Sequence, residues 1–144
     1  MAHIVIDARL INTSSGRYTE RLLHYLQKID KENDYTVLLA PQDFDGWDAT
    51  NPKFKKLVSS YKKFTFGEQY GLVWQLYGLK VDLAHFTMTQ QPVLYFGKTV
   101  TTINDLTTLR FRNPAKNRLI FSLKKQVYKL VIKWVAKKSA YVLT

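Results

Sequence analysis

Within its first thirty residues the chain passes from an apolar run through a small-residue loop into a helix start, and this passage constrains its fold more than anything else in it. Ile4-Val5-Ile6 stops at Asp7-Ala8-Arg9, crosses Asn12-Thr13-Ser14-Ser15-Gly16 and enters Arg17-Tyr18-Thr19-Glu20. A β-branched run bounded by turn residues reads as a buried strand, and Leu22, Leu23, Leu26 and Ile29 recur at helical spacing. The loop therefore sits where open α/β sheets bind ligands. Strand carboxyl ends and helix N-termini converge there, and the unpaired N–H groups of a first helical turn favour anions such as phosphate.

The rest of the chain continues the alternation. Strands are predicted over 3–7, 35–40, 81–86 and 99–103, with a weaker one over 56–59. A helix is predicted over 16–29. A second is predicted over 68–77, where Phe66, Tyr70, Val73, Trp74 and Tyr77 keep helical spacing although Gly67, Gly71 and Gly78 weaken it. Asn113-Pro114 suits an N-cap and first helical position, opening a long helix to about residue 138, and 139–144 reads as the start of another strand. The segment 42–52 reads as a loop anchored by Trp47. Such alternation argues for an α/β fold, a Rossmann-like doubly wound parallel sheet with helices on both faces.

Composition excludes several classes. The chain has no cysteine, so it has neither a disulfide framework nor a thiolate metal site, and no histidine spacing suggests a metal. No apolar run approaches transmembrane length and the start lacks the zones of a signal peptide, which predicts a cytoplasmic protein. With 22 Lys+Arg against 11 Asp+Glu, the formal charge of +11 predicts attraction to polyanions such as nucleic acid, anionic lipid or nucleotide sugars. The charge is uneven. No acid follows Asp105, whereas lysines and arginines crowd the last third.

Ile6-Asp7-Ala8-Arg9-Leu10 followed by Ser15-Gly16-Arg17-Tyr18-Thr19 resembles the "IDAR…SGIGRY" opening of GT-B glycosyltransferases of family 4. Glu68-Gln69, Val81-Asp82-Leu83-Ala84-His85-Phe86 and Thr101-Thr102-Ile103-Asn104-Asp105-Leu106 resemble, in order, the "EQ", "DLVH" and "T-[IV]-H-D-L" segments of that family. The chain differs from the pattern in lacking the second glycine of the loop and in carrying Asn104 where histidine is usual. Asparagine supports positioning but no proton transfer near neutrality. The resemblance spans nearly all of 1–144 and implies the N-terminal, acceptor-side domain of a retaining, mannosyltransferase-like enzyme, ending before the second domain. It further implies a nucleotide-sugar donor as substrate, a saccharide or lipid-linked acceptor, no obligatory metal or cofactor, and no activity for this segment alone.

The candidate cleft residues are Arg9, Gly16, Arg17, Tyr18, His85, Thr87, Asn104 and Asp105. Each also has a plainer reading. Asp7 and Arg9 suit an ion pair at the end of the first strand, with Arg9 the better candidate for an anionic ligand. Gly16 suits an ordinary turn, Arg17 and Tyr18 a first helical turn, His85 a satisfied structural histidine, and Asp105 a turn cap. No residue is assigned to catalysis.

The long basic helix has two readings. Leu119, Leu123, Val127, Leu130, Val131, Trp134 and Val135 form an apolar stripe that in a doubly wound domain packs on the core, leaving the lysines as a solvated face. The absence of acids, together with Phe111, Phe121, Tyr128 and Trp134, suggests instead that Lys124, Lys125, Lys129, Lys133 and Lys137 contact an anionic membrane surface, peripherally on its inner face. A noncatalytic nucleic-acid-binding or membrane-surface domain is the rival function. Charge supports nucleic acid, but no recognition motif does.

Overall fold

The computed structural model describes residues 1–14, 16–62, 65–104 and 118–144. The elements are β1 (His3–Asp7), α1 (Arg17–Ile29), β2 (Asp34–Leu39), a 3-10 turn (Pro41–Asp43), β3 (Phe54–Val58), a π-helical turn (Glu68–Leu72) running into α2 (Val73–Gly78), β4 (Leu83–Phe86), β5 (Thr99–Thr102), α3 (Arg118–Lys138) and β6 (Tyr141–Leu143). All six strands form one parallel sheet in the order β3-β2-β1-β4-β5-β6. This is a Rossmann-like doubly wound arrangement, in which the strand order reverses between β1 and β4.

Alternation along the strands sorts the core into two layers. Ile6, Val37 and Leu39 join Leu23 of α1 and Phe54 on one face, whereas Val5, Leu38, Ala84 and Phe86 join Leu72, Leu76 and Tyr95 on the other. The Tyr35 and Phe54 rings stack at 4.1 Å across β2 and β3. Trp47 packs against the first layer, and the Gln27 side chain accepts from the Thr50 amide at 2.7 Å, fastening the loop after β2 to α1.

Three helical segments depart from their predicted faces. Over residues 66–78, Glu68, Leu72 and Leu76 are buried, whereas Phe66, Tyr70, Trp74 and Tyr77 are exposed. In α1 the buried positions are Thr19, Leu23 and Gln27, while Ile29 is exposed, because the Gln27 amide is answered by loop backbone and takes an apolar position's place. In α3 the apolar stripe divides. Val135 is completely buried, but Leu123, Val127, Leu130 and Trp134 face solvent. Core packing therefore does not account for the stripe as a whole. Lys129, Lys133 and Lys137 are exposed and Lys125 is half-buried, whereas the Lys124 side chain, Asp105, Phe111 and the Asn113-Pro114 helix opening lie outside the described residues. No described helix is long and apolar enough to cross a membrane.

Candidate functional site

β1 ends at Asp7, and the chain rises into α1 through successive tight turns. Ile11 N donates to Ala8 O, Thr13 N and its hydroxyl both donate to Leu10 O, and Gly16 N donates to Thr13 O at 2.8 Å. Gly16 has an ordinary right-handed conformation, φ −79° and ψ −14°. Glycine is required there by crowding rather than by backbone freedom: a Cβ would lie 2.0 Å from the Ile11 carbonyl oxygen and 2.2 Å from that of Leu10. Among the described residues no side chain caps α1; Arg17 is exposed and Tyr18 is half-buried at its first turn.

Arg9 is 6 % exposed and held from three sides. Its Nε and Nη2 donate to the two Asp7 carboxylate oxygens at 2.9 and 2.7 Å, Nη2 also donates to Glu68 Oε1 at 3.0 Å, and Nη1 donates to the Tyr61 carbonyl at 2.6 Å. Burial opposes the guanidinium charge, but Asp7 and Glu68 outweigh it and raise the Arg9 pKa. The expectation that Arg9 meets an anionic ligand is therefore corrected: two carboxylates already occupy its fork. Asp7 forms the ion pair predicted for it. Glu68 entered the sequence reading only within the Glu68-Gln69 segment and not as a site residue, although it is the only acid between Asp48 and Asp82. The π-helical turn carries it to Arg9. Gly71 on the same turn lets the Tyr61 ring lie where a Cβ would come within 2.1 Å of it.

Across the sheet edge the strand ends are laced together. The Thr87 hydroxyl donates to Asp7 O at 2.8 Å, and Asn104 Nδ2 donates to Thr87 O at 3.0 Å. His85 lies just beneath, 8 % exposed, with Nε2 3.0 Å from Thr102 Oγ1. The same Thr102 hydroxyl lies 3.2 Å from Tyr18 Oη, so one hydroxyl links His85 to the first turn of α1. Gly16, Tyr18, Thr87 and Asn104 thus share one edge; His85 reaches it only through Thr102 and Tyr18. A recess of about 10 Å³, the size of one water, is lined by Asp7, Arg9, Leu10, Thr87, Met88 and Gln90, and the buried Gln90 Nε2 has no partner among the described residues. Among the described residues no group of three His, Cys, Asp or Glu could hold a metal ion.

Burial pushes the His85 pKa down to about 4. An unfolded histidine titrates near 6.5, so acid protonates the unfolded chain first, and stability present above about pH 6.5 is lost as pH falls toward 4. The full loss amounts to about 3 kcal/mol. Urea midpoints measured from pH 7 to 4 should fall less steeply in His85→Asn than in the parent, and parallel curves would refute the assignment.

Comparison with known proteins found no matching family model, no matching curated protein and no matching solved structure.

Proposed function

We propose that this chain is the acceptor-side half of a GT-B glycosyltransferase of family 4, transferring a hexose with retention from a nucleotide sugar to a saccharide or lipid-linked acceptor. The observation that carries the reading is the convergence of the loop 8–16, Thr87 and Asn104 at the edge where the strand order reverses, which is where doubly wound sheets bind ligands. Among the described residues the recess at this edge holds space for only about one water, as suits one wall of a cleft completed by a second domain. In this reading the start of α1 and exposed Arg17 face the donor diphosphate, the Tyr18 hydroxyl meets an acceptor oxygen, and Asn104 orients a sugar hydroxyl. Arg9 positions Asp7 and the loop without touching ligand. The reaction needs no resident metal or cofactor.

A cytoplasmic place on the inner membrane face belongs to the same proposal, supported by the exposed apolar and basic surface of α3. Nucleic acid remains the rival polyanion, with charge alone in its favour.

Titration of the isotopically labelled 144-residue chain with GDP-mannose, UDP-glucose and free mannose should perturb amides of 8–18, 87–90 and Asn104 while producing no hydrolysis or transfer. Unperturbed spectra with all three would overturn the site. Sustained turnover would overturn the half-enzyme reading.

A further inference from the structure

α3 carries apolar side chains on two faces. With 3.6 residues per turn, Leu123, Val127, Leu130 and Trp134 fall on one narrow arc, about a third of a turn around from the inward-facing Val135 and Tyr128. Val135 is buried, and the Tyr128 hydroxyl lies 3.3 Å from that of Thr89. The outer arc stays open, with Leu123 68 % and Leu130 67 % exposed. Lysines border it: Lys129, Lys133 and Lys137 succeed one another along one flank, and Lys138 stands on the other. No acidic residue of α3 offsets them.

At the C-terminal end of the helix this arc opens into a groove of about 390 Å³ lined by Phe96, Trp134, Lys137 and Lys138. The Trp134 indole donates to Val93 O at 3.3 Å, which holds the ring as one wall, and exposed Phe96 forms the other. Lys138 Nζ sits 5.0 Å from the Phe96 ring centroid and 5.9 Å from that of Tyr95. It has no carboxylate partner among the described residues, and burial lowers its pKa. Two apolar walls and two unpaired ammonium groups suit a molecule with an anionic head and a hydrocarbon body.

We propose that the outer face of α3 lies on an anionic phospholipid bilayer and that the groove takes one lipid, its phosphate between Lys137 and Lys138 and its upper chain between Phe96 and Trp134. The bilayer part rests on the membrane-surface reading above; the groove adds the lipid site and the point of insertion. A second copy fits the face poorly, because a two-fold contact would set the lysine flank of one chain against that of the other.

The test uses tryptophan fluorescence of the chain carrying Trp74→Phe, so that Trp134 is its exposed tryptophan, with vesicles of phosphatidylglycerol or phosphatidylcholine brominated in the upper chain. Phosphatidylglycerol vesicles should bind the protein and quench Trp134, while phosphatidylcholine vesicles should do neither. Lys137→Gln with Lys138→Gln should weaken binding by roughly tenfold or more and abolish quenching. Lys129→Glu with Lys133→Glu should weaken binding while leaving Trp134 quenched in the protein that still binds. Anionic binding without Trp134 quenching would overturn the groove and leave the surface reading intact. No binding to anionic vesicles at low salt would overturn both. Concentration-dependent dimerisation abolished by Leu130→Glu, without vesicle binding, would overturn the proposal in favour of a self-association face.

Discussion

Arg9→Met is expected to cost about 3–5 kcal/mol of folding stability, the largest effect of any single substitution proposed for this chain. The side chain is buried between Asp7 and Glu68, themselves 9 % and 1 % exposed, so its removal takes the guanidinium charge away from two buried carboxylates. The Tyr61 carbonyl loses its donor as well. Arg9→Lys keeps a charge but cannot reproduce a planar fork that reaches both Asp7 oxygens, Glu68 and Tyr61 together, so it should recover only part of the loss. Urea denaturation with a double-mutant cycle against Glu68→Gln measures the coupling. Additive single effects, or a nearly neutral Arg9→Met, would show that the buried cation does not carry these carboxylates.

The second large effect is expected at Gly16. Gly16→Ala should cost about 1–3 kcal/mol and Gly16→Val more, because the atoms an added Cβ meets are backbone carbonyls that cannot rotate aside. The sequence places Gly16 among the candidate cleft residues, in a loop where a ligand would bind. The geometry places the clash inside the loop, so loss of function at Gly16 is inseparable from displacement of the loop and of the start of α1. Thermal unfolding and amide shifts over 8–20 check this. A Gly16→Ala protein with parental stability and unshifted loop amides would contradict it.

The strands were legible because their β-branched runs end at turn residues, and the parallel sheet followed from their alternation with helices. Residues joined within one short segment were legible too, as with Asp7 and Arg9, two positions apart. The Arg9–Glu68 contact was not, since it spans 59 residues and depends on a π-helical turn that no periodicity marks. Gly71 was misleading for the same reason. As a helix residue it only weakens propensity, and its use becomes apparent once the Tyr61 ring lies against it. The outward arc of α3 was hidden because a count of apolar residues at helical spacing does not say which of them meet a sheet.

The hydrogen bond from Thr87 to Asp7 joins residues 80 positions apart, and β4 is the second neighbour of β1 in the sheet. β1 thus precedes the other strands of the sheet in the chain but gains its second neighbour only when β4 is in place. Until residue 86 has emerged, β3, β2 and β1 can pair only as a half-sheet with an open apolar edge at β1. An unpaired edge of this kind is a template for other chains, and closing it requires a long loop to form first. The order of the strands therefore leaves the β1 edge exposed in the nascent chain until β4 arrives, an interval in which the half-sheet can pair with other chains.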